Sequence, residues 1–144
     1  SALNLFEQVK NECWFDPTDG VEDSEEVKHL PLSGHICFKK GQVYELMGSV
    51  DQALNSYVDA ANFYRIACGD ENMYVASLLH RMGIISSQKT EYHSIGYFNE
   101  ALSIRKNLLG SNDHLVAETL YASAAVLAKL NRYEASMERY HEAL

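Results

Sequence analysis

The sequence predicts an all-α chain of antiparallel helix-turn-helix repeats, and three observations carry that expectation. First, 144 residues hold only 2 Pro and 8 Gly, while Ala, Leu, Glu and Ser recur throughout, a composition that favours helices over strands. Second, the chain resembles itself when it is slid along its own length by 41 or 42 residues. Third, apolar residues come in pairs of stripes at i, i+4, i+7 spacing, each pair divided by a short break. Such a pattern describes two amphipathic helices joined by a tight turn. With 47% hydrophobic residues the chain can bury a real core, and its length suits one domain at most.

The self-match is specific. At a shift of 41, Ala60 falls on Ala101, Gly69 on Gly110, and the pair Val75-Ala76 on Val116-Ala117. At a shift of 42, Gly41, Tyr44, Gly48 and Ala53 fall on Gly83, Ser86, Thr90 and Ile95. The change of shift predicts a one-residue deletion inside the second helix of the middle unit, between Tyr92 and Phe98. In the first unit the two stripes are Cys37, Gly41, Tyr44 and Ala53, Tyr57, Ala60, with Gly48 at the turn. Small residues at Gly41, Ala53 and Ala60 let two helices approach, and Tyr44 and Tyr57 fill the space beside them. The last unit repeats the scheme with Leu120, Ala124, Leu127 and then Ser136, Tyr140, Ala143. Its turn carries Asn131, a residue that tolerates left-handed backbone.

These landmarks resemble the tetratricopeptide repeat, and the unit of about 41 residues is similar to the longer variant of kinesin light chains. The passage ALSIRKNLLGSNDHLVA, Ala101 to Ala117, carries that likeness best, with its long second helix, Leu-Gly stop and Asp-His loop. The resemblance implies an α-solenoid, a right-handed superhelix of about three and a half repeats. It divides the chain into repeats at 34–73 and 74–114 and a partial repeat at 115–144. Residues 1–15 read as the second helix of a preceding repeat, with Ala2, Phe6 and Val9 on one face. Residues 16–33, broken by Pro17, Gly20 and Pro31, read as an acidic loop between hairpins. A chain that opens and closes within hairpins reads as an excerpt of a longer array.

Charge and motif content exclude several classes of function. A net charge of -8 argues against a nucleic-acid binder, which gathers Lys and Arg against phosphates. The charge is uneven, since eight acids lie in residues 1–33 against Lys10 and Lys28. No run approaches the roughly 18 apolar residues of a membrane span. Six histidines form no HExxH pair, no glycine-rich phosphate loop or nucleophile elbow occurs, and neither cofactor nor metal is expected. Cys13, Cys37 and Cys68 are far apart and read as free thiols, which suits an intracellular, cytoplasmic setting; a targeting segment is not legible in an excerpt. The expectation is a non-enzyme.

In the architecture that the resemblance implies, first helices line a concave face. One position beyond each core stripe stand Phe38, Gln42 and Glu45, then His80, Ile84 and Ser87, then Tyr121, Ala125 and Ala128, with Lys39, Arg81 and Ala122 beside the rings. A ring at one repeat position three times over is the kind of anchor that binding surfaces use. The expected partner-binding groove is therefore Phe38, Lys39, Gln42, His80, Arg81, Ile84, Tyr121 and Ala125. Its partner would be a protein or peptide with apolar and acidic residues. Kinesin light chains carry asparagines where this chain has Phe38-Lys39, His80-Arg81 and Tyr121-Ala122, so their cargo preference does not transfer. Two alternatives stand beside the scaffold reading: an architectural subunit packed edge-on in a large assembly, and a regulatory domain of an enzyme whose catalytic part lies elsewhere.

Overall fold

The computed structural model describes residues 25–89 and 91–144, with side-chain surroundings from residue 32 onward except at 90–92. Among the described residues every regular element is a helix: α1 (Glu25–Leu46), α2 (Val50–Cys68), α3 (Met73–Ser86), α4 (Glu91–Leu109), α5 (His114–Lys129) and α6 (Tyr133–Ala143). Successive helices pack in pairs, α1 on α2, α3 on α4 and α5 on α6, and α4 also packs on α5. The chain divides into two compact units, Ser1–Asn72 and Met73–Leu144. The first holds the hairpin α1–α2, and the second holds α3–α4 and α5–α6.

The first two hairpins each close around one large ring from the second helix. A Cβ on Gly41 would stand 2.5 Å from the Tyr57 ring, and one on Gly83 would stand 2.7 Å from the Phe98 ring. Tyr57, Phe98, Ala53, Ala60 and Ala101 are all buried. The close approach expected at Gly41 and Ala53 is thus made by glycine on one helix and an aromatic face on the other. Such contact buries a large apolar area in a small gap. In the middle hairpin the Ser94 hydroxyl donates to the Gly83 carbonyl at 2.6 Å. In the last, Ser136 donates to the Ala124 carbonyl at 2.7 Å. The two helices are stitched at the same place in both.

That correspondence corrects the expected register. Ala53, Ser94 and Ser136 are the buried equivalents, while Ile95, the residue matched to Ala53 in the sequence, is only half-buried. The deletion therefore precedes Ser94 and lies in the turn. α2 begins at Val50, nine residues after Gly41; α4 begins at Glu91, eight after Gly83; α6 begins at Tyr133, nine after Ala124. The reason is geometric. Removing one residue inside a helix rotates all that follows by about 100° and takes the core stripe off its face, whereas a turn absorbs the change. The longer turns use left-handed residues, Gly48 at φ 77° and Asn131 at φ 60°.

Two further expectations meet the structure differently. Residues 25–33 of the expected acidic loop form the start of α1, so Pro31 stands within a helix and does not end one. The stretch offers Glu, Lys and Leu, which are strong helix formers. A helix that continues to Leu46 and packs along α2 offsets the proline cost of about 3 kcal/mol. The remainder of that loop, and the helix expected at 1–15, lie outside the described residues. Cys37 is a half-buried free thiol, but Cys68 is disulfide-bonded, which departs from the expected set of free thiols.

Candidate partner-binding site

The three rings expected to serve as anchors share a structural role first. Phe38 packs on Tyr57 with centroids 5.8 Å apart, His80 on Phe98 at 5.5 Å, and Tyr121 on Tyr140 at 5.8 Å. In every hairpin a ring of the first helix lies against a ring of the second, which is buried at Tyr57 and Phe98 and half-buried at Tyr140. Their recurrence thus has a packing cause, and what each leaves for a partner differs. Tyr121 is 64% exposed, Phe38 is half-buried and His80 is only 7% exposed. His80 is not the open imidazole that the spacing suggested.

In the first unit, α1 brings Phe38, Lys39 and Gln42 onto one patch. The His35 ring lies 6.4 Å from Phe38, and the Lys39 ammonium sits 5.8 Å above the Phe38 ring, a cation–π distance. Lys39 is exposed and Gln42 half-buried. In the second unit Ile84 and Tyr121 are exposed, and Arg81 and Ala125 are half-buried. Glu118 and Tyr121 of α5 also wall a shallow groove that is completed by His114, Tyr140, His141 and Leu144.

Sequence reasoning missed the polar cluster beneath these residues. Arg105 of α4 is buried. Its Nη1 donates to Thr119 Oγ1 at 2.7 Å and to the Leu115 carbonyl at 3.2 Å, and lies 3.4 Å from His80 Nδ1. His80 Nδ1 also lies 3.2 Å from Thr119 Oγ1, and its Nε2 lies 3.5 Å from Glu118 Oε1. Burial lowers the His80 pKa first and the Arg105 charge lowers it further, while Glu118 opposes them. His80 is therefore a neutral strut between α3, α4 and α5. The signal that could have found the cluster is the repeat itself. Arg105 stands 41 residues after Tyr64, so a cation occupies a position that the first hairpin fills with a core ring.

No group of three or more His, Cys, Asp or Glu able to hold a metal occurs among the described residues, and no described helix is long and apolar enough to cross a membrane. Hairpins of this length, closed by a small residue against a ring and repeated at 41 or 42 residues, define a tetratricopeptide-like helical repeat fold. The crystal structure of BtubC (BKLC) from P. vanneervenii is similar to this chain, with a TM-score of 0.71 at 20% sequence identity. The match covers 87% of this chain and 48% of that one, so this chain spans about half the length of that structure. No family model matches the sequence, and no curated protein matches it either.

Proposed function

We propose that the chain is a non-catalytic interaction module that holds a partner protein or peptide through the outward side of its first helices. The observation that supports this best is the joint exposure of Ile84 and Tyr121 beside half-buried Ala125 and Arg81 in one unit. Solvent-facing apolar residues of that size, with a cation beside them, match the make-up of a binding hot spot. In the other unit Phe38, Lys39 and Gln42 repeat the combination of ring, cation and amide. The partner that suits both is a segment carrying apolar and acidic residues. Rings would supply contact area, and Lys39 and Arg81 would orient carboxylates. Outside residues 1–33 the chain is close to neutral, so Lys39 and Arg81 would act on an acidic ligand with little opposing charge.

One observation favours the architectural alternative: Tyr133 and Met137, on the second helix of the last hairpin, are also exposed. The test begins with affinity purification of the full-length protein to identify a partner. Its binding is then measured by calorimetry against Ile84→Asp, Tyr121→Ala, Tyr133→Asp and Met137→Asp. For a short peptide, a dissociation constant on the order of micromolar is expected, about 8 kcal/mol. Tyr121→Ala should weaken binding by about 1 to 2 kcal/mol. Loss of binding in the Tyr133 and Met137 variants, with Ile84→Asp and Tyr121→Ala binding like the parent, would replace the module by the architectural subunit.

A further inference from the structure

The joint between the hairpins α3–α4 and α5–α6 runs through a buried histidine with one charge of each sign beside it. His80 Nδ1 lies 3.4 Å from Arg105 Nη1 of α4 and 3.2 Å from Thr119 Oγ1 of α5. On its other side Nε2 lies 3.5 Å from Glu118 Oε1 of α5, and the Phe98 ring of α4 meets it edge-on. Arg105 and Glu118 are the charged groups that act on the ring. Its own helix places Ala76, Ser77, Gly83 and Ile84 one turn away, none of them charged. Arg105 is buried and held, whereas Glu118 is exposed. Arg105 Nη1 donates to both Thr119 Oγ1 and the Leu115 carbonyl, so α4 grips the first turns of α5 through one nitrogen. Nε of the same guanidinium is buried without a hydrogen-bond partner among the described residues. The first hairpin fills the equivalent positions with Phe38 and Tyr64. Rings suffice there, and a buried cation is a costly way to fill the same space. Packing alone does not call for the pair His80 and Arg105.

We propose that this cluster is a proton switch: on taking up a proton His80 changes partner from Arg105 to Glu118, and α5 loosens from α4. A neutral imidazole keeps one nitrogen without a proton, whereas the imidazolium presents N–H at both. At Nδ1 the protonated ring sets two donors and two like charges against each other at 3.4 Å, in surroundings that screen them poorly. Nδ1–H then donates to Thr119 Oγ1 in place of Arg105, since the Thr119 hydroxyl proton is already given to the Leu115 carbonyl at 3.0 Å. At Nε2 the exposed Glu118 carboxylate closes on the ring as an ion pair. The proton comes from water on the Glu118 side. Arg105 is then left with Asp113 at the α5 N-cap, the other acid that acts on it. Burial and Arg105 both resist the proton, so the change falls below pH 6.5, on the acidic side of ordinary histidine. Ile84 and Tyr121 stand on the two helices that the ring joins. A partner-binding surface there would change shape with pH, a consequence that rests on the function proposed above.

The experiment uses the whole chain and no partner. Nuclear magnetic resonance of the His80 ring nitrogens and of Arg105 Nε is followed from about pH 7.5 to about pH 5, with hydrogen exchange corrected for its intrinsic rate. His80 should titrate below 6.5, and Arg105 Nε should shift with the same midpoint. Amides of residues 116–122 should follow that midpoint too, exchanging about tenfold faster on the acid side. Amides of residues 98–104 should not follow, and an equal rise in both stretches would be global loosening and overturn the proposal. Glu118→Gln should lower the midpoint and Arg105→Met should raise it. His80→Phe, which copies Phe38 of the first hairpin, should fold and leave residues 116–122 indifferent to pH. The proposal is also overturned if His80 titrates while those amides stay unchanged, if they loosen equally in His80→Phe, or if the ring stays neutral until the whole chain unfolds. Since no partner enters, these results leave the binding function untouched, and that function fails only on its own calorimetry.

Discussion

Gly83 and His80 show how much of this fold is decided at single residues. Gly83 faces the Phe98 ring at a distance where a methyl group cannot enter without displacing it. Phe98 is itself buried and has little room to retreat. Gly83→Ala should therefore cost about 1 to 3 kcal/mol by overpacking, read as a lowered urea midpoint with an unchanged slope. Adding Phe98→Leu should recover part of that loss. His80 provides a test with pH. Its folded pKa lies below the ordinary 6.5 because of burial and Arg105. Between the folded and unfolded values the unfolded chain binds more protons, so stability rises with pH through that window. The contribution is present above pH 6.5 and is lost as pH falls through the lowered folded value. Chemical denaturation from pH 8 down to pH 5 should show a decline that His80→Gln flattens, and equal slopes in both proteins would remove His80 as its source.

At the scale of elements, turns carry the irregularity and helices keep the register. The middle turn is one residue shorter than its neighbours, yet Ser94 and Ser136 make the same hydroxyl-to-carbonyl link on either side of the change. Inserting one glycine after Lys89 should accordingly restore the longer turn and shift stability by no more than about 1 kcal/mol, because an added residue in a loop changes closure entropy only slightly. The same insertion between Tyr97 and Phe98 would rotate Phe98, Ala101 and Arg105 off the core by about 100°. Thermal melts followed by circular dichroism should find that variant without a cooperative transition. If the two insertions cost the same, the register set out for α4 is wrong. The last hairpin also shows how an element is tied beyond its own partner: Lys106 of α4 pairs with Glu142 at 2.6 Å, and Arg139 bridges Ser123 Oγ and Asn99 Oδ1.

Across the whole chain, what was legible in the sequence and what was not divide along a physical line. Composition, the 41- to 42-residue period and the i, i+4, i+7 stripes determined the fold class, because each hairpin buries its stripe locally and the requirement recurs in every unit. The small-ring-small order at Gly41, Tyr57 and Ala60 was likewise legible, since close helix approach permits few side chains. Three features were decided only by the tertiary structure. Landmarks divided between shifts of 41 and 42 matched Ala53 to Ile95, and burial of the Ser94 hydroxyl on a carbonyl put Ser94 there instead. Equal spacing made Phe38, His80 and Tyr121 look alike, but their exposure depends on what lies opposite, and only His80 has an arginine there. Arg105 itself carries no local motif. A charged side chain becomes a buried strut only when a carbonyl, a threonine hydroxyl and an imidazole from other helices are brought within hydrogen-bond reach. The stripe of a helix is written along a single segment, whereas the partners of a buried polar group come from segments far apart in the chain, and packing alone brings them together.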